Sequence, residues 1–233
     1  MERFSNQLKI DSFSTSHQQM LANANIAMVG AGGLGCPLLL SLVQMGVGHI
    51  SIFDDDVVNL SNLNRQGLFG INDIGRLKAE TAVEKLAIIN PKAVLLPFNE
   101  RISSKNASQL LSHFHIVVDC TDNLSTRYAI DKVCSRCSIP LIFGGVRKFE
   151  GQVGVFNGMS GVSFSEIFPV SDETFKNEDC EMLGTFGFIT QIIGGFQAQE
   201  VFKIVTGIGQ PLWGKVVHYD LLEHQKSVVN YLM

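Results

Sequence analysis

The sequence predicts an α/β fold: a doubly wound, Rossmann-like, mostly parallel sheet with helices on both faces and an antiparallel C-terminal extension. Short apolar runs alternate with longer segments of helical apolar spacing, a pattern typical of parallel strands joined by helices. The glycine-rich stretch GAGGLG joins the first strand-like run to the first helical segment. Two strand-like runs near the C-terminus supply the antiparallel extension.

Each strand is predicted from a short apolar or alternating run. The predicted strands are 26–30, 49–53, 94–97, 115–120, 140–143, 151–156, 214–220 and 226–232. Apolar residues at helical spacing predict helices at 34–45, 76–89, 125–137 and 184–205. Asn90 and Pro91 end the second of these helices. Residues 1–24 are predicted to form a helical segment that packs on the main body, and 157–183 a long polar loop.

The composition indicates one soluble domain spanning residues 1–233. Hydrophobic residues make up 45% of the chain and charged residues 17%. The net charge of −4 argues against nucleic-acid binding, because no basic excess is available to neutralise phosphates. No apolar run approaches the roughly 20 residues of a membrane span, and no secretory signal is evident at the N-terminus. Five cysteines in such a chain indicate reduced thiols and a cytoplasmic protein.

The glycine-rich stretch indicates a nucleotide site. Gly30, Gly32 and Gly35 fit the G-x-G-x-x-G pattern between a strand and a helix, which is the context this motif requires. Glycines let the backbone approach a phosphate, and the helix N-terminus supplies unpaired N–H groups. Asp54 closes the next strand, where an acid can hydrogen-bond ribose hydroxyls. These features leave a dinucleotide and ATP as alternatives.

The segment DDDVVNLSNLNRQ after the second strand favours ATP over NAD. A dehydrogenase requires no dense polar cluster there, yet Asn62, Arg65 and Gln66 follow Asp54 closely. Arg65 can bind phosphate oxygens with its planar guanidinium, and Lys78 adds a second cation at the start of a helix. Two cations beside a glycine loop suit a triphosphate and a pyrophosphate leaving group.

A second polar motif, DCTDN at 119–123, follows the fourth strand. Ligands of open α/β sheets bind outside the carboxyl ends of the strands, so Asp122 is a candidate ligand for Mg²⁺ on the phosphates. An N-cap of the next helix is the structural alternative for Asp122, with Asn123 and Ser125 competing for that role. Arg127 is left with three alternatives: pairing with Asp122, binding a substrate carboxylate, or lying on the surface.

Together these motifs resemble the ThiF/MoeB/HesA family, relatives of the ubiquitin-activating enzymes. The matching stretches run in order over nearly the whole chain: RFSNQ, GAGGLG, DDDVVNLSNLNRQ, IGRLK, DCTDN, GGVRKFEGQVGVF and GIGQPL. SNLNRQ after an acidic strand end is far more specific than the glycine loop. The resemblance implies a homodimer that uses ATP and Mg²⁺ to adenylate the C-terminal glycine of a ubiquitin-like sulfur-carrier protein ending in Gly-Gly.

The resemblance also implies roles for individual residues. Gly32, Gly33 and Gly35 correspond to the loop under the nucleotide, and Asp54 to the ribose ligand. The phosphate-binding set corresponds to Asn62, Arg65 and Lys78, and the Mg²⁺ ligand to Asp122. A C-terminal carboxylate is already ionised at pH 7, so attack on the α-phosphorus requires no general base. Under this hypothesis Arg65, Lys78 and Asp122 are the catalytic residues.

Three departures from the family pattern bear on function. Asn6 stands where the family usually has an arginine that reaches the partner subunit's ATP site, and Arg3 is a nearby candidate to replace it. Ser163 and Glu166 occupy the positions of a zinc-binding C-x-x-C pair, and no second pair follows the last strand, so no structural zinc is expected. Cys134 and Cys137 form a C-x-x-C within a predicted helix and are interpreted as core thiols.

The third departure concerns Cys180, a candidate catalytic residue in the long loop. Its position is similar to that of a cysteine that some family members use for sulfur or acyl transfer. A partly exposed thiol with a lowered pKa would be reactive. Its neighbours Glu178, Asp179 and Glu181 are acidic, however, and acidic neighbours raise a thiol's pKa.

The leading functional hypothesis is therefore adenylation of a ThiS- or MoaD-like carrier, in thiamin or molybdenum-cofactor biosynthesis. The loop 157–183 is expected to cover the active site and the carrier's glycine tail, since only glycine is slim enough for a narrow channel. Adenylation of a tRNA, a peptide or a small molecule is an alternative, as is an NAD-dependent dehydrogenase. A homologue that binds a carrier without activating it is the non-catalytic alternative.

Overall fold

The computed structural model describes residues 2–169 and 184–231. Its sheet contains eight strands: β1 Asn25–Val29, β2 His49–Phe53, β3 Val94–Phe98, β4 Ile116–Asp119, β5 Leu141–Arg147, β6 Glu150–Phe156, β7 Lys215–Asp220 and β8 Gln225–Asn230. The strand order is β3-β2-β1-β4-β5-β6-β7-β8. The first five strands in that order pair in parallel, and β5 to β8 pair antiparallel. The predicted fold class is confirmed.

Seven helices accompany the sheet in the described residues: α1 Thr15–Asn23, α2 Gly35–Met45, α3 Lys78–Ile89, α4 Ala107–Leu111, α5 Leu124–Cys137, α6 Phe164–Ile167 and α7 Gly187–Thr206. The helix predicted within 1–24 is α1. Neither α4 nor α6 is predicted from the sequence, because helices of five and four residues are too short to establish a 3.6-residue period. None of these helices has the length and hydropathy to cross a membrane.

The central strands are buried on both sides and divide the core into two parts. In β1, Ile26 and Met28 face a cluster that includes residues of α1, α2, α3 and α7. Ala27 and Val29 face the opposite cluster, which includes residues of α4, α5 and α6. This two-residue alternation explains why β1 reads as a continuous apolar run: each of its faces is covered by helices.

Residues 157–169 are anchored to α5 by a buried carboxylate. Asp131 is 1% exposed and accepts hydrogen bonds from Asn157 Nδ2 at 3.0 Å, Phe164 N at 2.8 Å and Ser165 N at 3.0 Å. Helix α6 therefore interrupts the predicted loop and is fixed against the body of the protein. Residues 170–183, which include Cys180, lie outside the described residues.

Candidate active site

The glycine loop lies where the strand order of the sheet reverses. β1 is flanked by β2 on one side and β4 on the other, so the chain leaving β1 enters a crevice at the carboxyl ends of these strands. Helix α2 begins at the last glycine of the loop, Gly35. This is the position at which open α/β sheets bind their ligands, as the motif predicts.

Two of the loop's glycines are required by backbone contacts. Gly30 has φ +95°, and a Cβ there would lie 2.8 Å from the carbonyl oxygen of Cys120. A Cβ on Gly35 would lie 2.2 Å from the carbonyl oxygen of Gly30. The loop is consequently folded tightly on itself and against the residues that follow β4.

The other two glycines face side chains across the crevice. The nearest atom to a Cβ on Gly32 would be Gln66 Nε2, at 3.6 Å, which is ordinary van der Waals contact. A Cβ on Gly33 would lie 3.1 Å from the Thr190 methyl group and 3.5 Å from the aliphatic carbons of Arg65. The structure thus brings Arg65 and Gln66 to the glycine loop, more than 30 positions away along the chain.

Asp54, the predicted ribose ligand, holds two loops together. Its Oδ2 accepts the N–H of Ala31 at 2.7 Å, and its Oδ1 accepts the N–H of Asp56 at 2.9 Å. Burial raises the pKa of the Asp54 carboxyl, while the Ala31 N–H and the Lys78 ammonium act in the opposite direction. Each carboxylate oxygen has a second lone pair, so both can still accept a hydroxyl.

Asn62 and Arg65 lie in and just after a 3-10 turn at Leu60–Asn62. The largely buried Asn62 side chain accepts the N–H of Asn59 at 3.1 Å and so stabilises the turn. Arg65 Nη1 donates to the carbonyl of Ser61 and to Asn64 Oδ1, both at 3.0 Å. These local hydrogen bonds fix the guanidinium, and within residues 2–169 and 184–231 it forms no ion pair with an acid.

Gln66 is buried beside the loop and has an unusual feature. It is 3% exposed, and its Oε1 is a buried side-chain atom with no hydrogen-bond partner among the described residues. Leaving a buried acceptor unsatisfied costs free energy, so this oxygen needs a partner that the described residues do not supply. The sequence places Gln66 in the polar cluster but assigns it no role, because burial is not visible there.

Lys78 begins α3 and forms an ion pair that the sequence does not reveal. Its Nζ lies 2.8 Å from Asp56 Oδ2, and its backbone N–H donates to the Asp56 carbonyl at 2.9 Å. The side chain of Lys78 is 7% exposed, whereas that of Asp56 is 69% exposed. The ammonium group is therefore mostly withdrawn from water and held near Asp54 by a carboxylate on the loop after β2.

Asp122, the predicted Mg²⁺ ligand, is exposed in the turn between β4 and α5. The alternative role, capping of α5, belongs to Asn123, whose side chain accepts the N–H of Thr126 at 2.9 Å. The turn borders the glycine loop, because the Cys120 carbonyl lies against Gly30. Asp122 follows this contact by two residues, and its role as a metal ligand stays a prediction.

Arg127 is largely buried, and its ion pair is with Asp119 rather than with Asp122. Its Nε lies 3.7 Å from Oδ2 of Asp119, and its side chain is only 12% exposed. Its Nη2 donates to the carbonyls of Thr121 and of Gly144, the latter at 3.1 Å. The surface alternative for this arginine is wrong, and its partner is the last residue of β4.

Three cysteines are buried, and the two residues at the positions of the family's zinc-binding cysteines form a helix cap. Burial raises the pKa of Cys36 to about 12 and raises those of Cys120 and Cys134, so these thiols are unreactive at neutral pH. Ser163 and Glu166 form a capping box at α6: Glu166 Oε2 accepts the Ser163 N–H at 2.7 Å. The absence of a structural zinc stays a prediction.

The N-terminal residues make contacts within their own chain. Asn6 Oδ1 accepts a hydrogen bond from Lys9 Nζ at 3.1 Å. Arg3 donates to the carbonyl of Ile89, the last residue of α3. The predicted replacement of the family arginine by Arg3 in a partner's site stays a prediction.

Comparison with known proteins agrees with this geometry. The model of the ThiF family matches residues 4–231. The sulfur carrier protein adenylyltransferase of Thermus thermophilus is 35% identical over 228 residues, which are 96% of this chain and 84% of that protein. The probable adenylyltransferase/sulfurtransferase MoeZ of Mycobacterium tuberculosis is 36% identical over 226 residues, 95% of this chain and 57% of that protein.

Solved structures show the same fold at lower identity. E. coli MccB, crystallised with ATP, superposes with a TM-score of 0.87 at 21% identity, covering 98% of this chain and 71% of that one. PaaA superposes with a TM-score of 0.84 at 22% identity, covering 98% and 82%. Sequence, fold and site geometry converge: this chain belongs to the ThiF family.

Proposed function

We propose that this protein is an ATP- and Mg²⁺-dependent adenylyltransferase that acts on the C-terminal glycine of a ubiquitin-like sulfur-carrier protein. The observation that carries the proposal is the convergence of Asp54, Arg65 and Gln66 on one glycine loop at the switch point of the sheet. Membership of the ThiF family supports the same activity, as do its relatives, which include sulfur-carrier and molybdopterin-synthase adenylyltransferases. The carrier class is common to both the thiamin and the molybdenum-cofactor alternatives.

The crevice residues fit a nucleotide. Gly32 leaves room beside the loop, because the nearest described atom to a Cβ there would be Gln66 Nε2, at 3.6 Å. Asp54 retains acceptor capacity for ribose hydroxyls, while Asn62, Arg65 and Lys78 would contact the phosphates. Gly32→Ala and Gly35→Ala provide a matched pair that separates binding from folding.

Gly32→Ala is expected to fold normally but to weaken ATP binding at least about tenfold, because the added methyl group meets no atom of the described residues closer than 3.6 Å and would occupy ligand space. Gly35→Ala is expected to lower the free energy of unfolding by about 1–3 kcal/mol, because its Cβ would overlap the Gly30 carbonyl. Urea denaturation and calorimetric titration with ATP measure the two effects. Equal losses of stability in both variants would contradict this division.

Asp122 would hold Mg²⁺ together with phosphate oxygens. Across 2–169 and 184–231, no three His, Cys, Asp or Glu side chains cluster closely enough to bind a metal by themselves. One carboxylate plus substrate phosphates is the usual arrangement for Mg²⁺. The chemistry that Mg²⁺ supplies when bound is neutralisation of phosphate charge.

The reaction requires positioning and charge neutralisation more than proton transfer. A carboxylate oxygen of the carrier's terminal glycine attacks the α-phosphorus of ATP, and the bond from that phosphorus to the bridging oxygen breaks. Pyrophosphate leaves, and the carrier remains as an acyl-adenylate. Arg65 and Lys78 would stabilise the charge that develops on the departing phosphates. The carboxylate is ionised at neutral pH, so no general base is needed.

The assembly is proposed to be a cytoplasmic homodimer. Phe186 and Phe188 are 59% and 48% exposed, and the Phe186 ring stacks on Phe149 with centroids 5.7 Å apart. This apolar surface adjoins the site, because a Cβ on the intervening Gly187 would lie 2.8 Å from the Asn64 carbonyl. A second copy bound there would border Arg65.

Residues 157–183 are proposed to cover the carrier's tail, and a covalent role for Cys180 stays a prediction.

Pyrophosphate exchange into ATP tests the proposal. Exchange should require both Mg²⁺ and a purified carrier protein, and a carrier lacking its terminal glycine should support none. Calorimetric titration with NAD, compared with ATP, separates the dehydrogenase alternative. Binding of the carrier without exchange would identify the non-catalytic alternative, and exchange independent of the carrier would indicate another substrate class.

A further inference from the structure

The turn that carries Asp122 is held by groups that the proposed mechanism does not use. Asp122 itself is exposed, yet Asp119, three residues earlier, is 1% exposed. Asp119 ends β4 and lies between Val29, the last residue of β1, and Phe143 of β5. It therefore lies directly before the turn, between β1 and β5.

Asp119 binds the turn from one side. Its Oδ1 accepts both the backbone N–H and the hydroxyl of Thr121, at 2.8 Å and 2.7 Å. Its backbone carbonyl accepts Gln197 Nε2 of α7 at 2.9 Å. The carboxylate thus fixes both the main chain and the side chain of the residue that precedes Asp122.

Arg127 binds the turn from the other side. One guanidinium contacts the Asp119 carboxylate, the Thr121 carbonyl and the Gly144 carbonyl of β5. Its Cζ lies 4.7 Å from the centroid of the Phe143 ring. A planar group with five N–H donors can make these contacts at once, whereas an ammonium group has neither the planarity nor the reach.

Thr121 is therefore held at three of its polar atoms: N, Oγ1 and the carbonyl oxygen. So much fixation is not required to form the turn, since Asn123 already caps α5. It is appropriate for a metal ligand, because Mg²⁺ demands near-ideal octahedral geometry and tolerates little displacement of a carboxylate.

We propose that Arg127 is a positioning residue: paired with Asp119, it fixes the backbone at Thr121 so that Asp122 meets Mg²⁺ bound to the nucleotide. This inference rests on the proposed function and adds to it a residue that touches neither ATP nor the metal. Residues that orient a metal ligand typically affect metal affinity about 10- to 100-fold.

Arg127→Lys tests the proposal, since it keeps the positive charge but loses the planar donor set. Binding of Mn²⁺, as a spectroscopic substitute for Mg²⁺, is measured by electron paramagnetic resonance in the presence of a non-hydrolysable ATP analogue. We expect the Mn²⁺ dissociation constant to rise about 10- to 100-fold. Affinity for the analogue without metal should be unchanged, because the site's phosphate and ribose contacts lie on other loops.

Two further variants complete the design. Thr121→Val removes only the hydroxyl donation to Asp119, and a smaller rise in the Mn²⁺ dissociation constant is expected. This variant tests the proposal if Arg127→Lys fails to fold. Arg136→Lys, on the same helix with an exposed contact to Ser108, is the matched control and should change nothing.

The results of these measurements test the role of Arg127 separately from the proposed adenylyltransferase function. No metal-dependent nucleotide binding by the wild-type protein would overturn the proposed function, and this inference with it. Normal wild-type binding, with Mn²⁺ affinity unchanged in folded Arg127→Lys and Thr121→Val, would overturn the inference alone. An equal loss of metal-free analogue binding would also overturn it, by showing a general structural effect.

Discussion

Replacement of Lys78 by methionine is expected to lower the rate of pyrophosphate exchange about 10²- to 10³-fold, as is typical when one preorganised group is removed from a developing charge. The Lys78 side chain is 7% exposed and its Nζ lies 2.8 Å from the Asp56 carboxylate, so its charge acts in surroundings from which water is largely excluded. Methionine has similar length and keeps the packing of the aliphatic chain. Exchange of labelled pyrophosphate into ATP, with carrier in excess, measures the loss.

Lys92→Met is the control, because Lys92 is exposed in the turn after α3 and the substitution removes the same charge. Lys78→Arg should retain part of the activity if positive charge is the essential property. The hypothesis fails if Lys78→Met exchanges at the wild-type rate while circular dichroism shows a native fold. Asp56 is left without its cation in this variant, so thermal unfolding must be measured alongside.

Asp122→Asn is expected to reduce exchange at least about 100-fold at physiological magnesium, and to raise the magnesium concentration at half-maximal rate. A neutral amide oxygen is a much weaker ligand for a hard cation than a carboxylate. Stability should change little, since Asp122 is exposed and Asn123 provides the cap of α5. A magnesium titration of the exchange rate, together with the melting temperature, separates these two effects.

Asp55→Asn is the matched control for Asp122→Asn. Asp55 is an exposed acid in the run that follows β2, so its loss tests whether general negative charge near the crevice matters. Equal magnesium profiles for both variants would assign the effect of Asp122 to the electrostatic field rather than to metal ligation. A wild-type profile for Asp122→Asn would remove this residue from the metal site.

Several features of the site are predictable because they are local in the chain. The glycine loop follows from the residue types between a buried strand and a helix, and Asp54 from its place at the end of the next strand. The strand pattern of β1 and β4 is recognisable because both faces are covered and each run is apolar. These inferences need only neighbouring residues and the periodicities of helix and strand.

The partners of the charged and polar groups are not predictable in this way. Asp56 pairs with Lys78 across 22 positions, and Gln197 donates to the Asp119 carbonyl across 78. Arg127 has an acid close to it in sequence at Asp122, yet it pairs with Asp119, because β4 ends with that side chain beneath the turn. Proximity along the chain favoured Asp122 as the partner of Arg127. The actual partner is Asp119, because helix geometry and strand register determine which carboxylate the guanidinium contacts.

By itself the sequence determined the α/β architecture, the glycine loop and the family, because these depend on residue type, spacing and order. Only the tertiary structure decided that Gln66 is buried with its Nε2 beside Gly32 and with an Oε1 that no described residue satisfies. Only the tertiary structure likewise decided that Arg127 and Asp119 hold the turn before Asp122. Burial depends on which distant segments the sheet order brings together, and the pairing of Arg127 depends on how β4 ends beneath the turn and α5 leaves it; residue type and spacing alone specify neither.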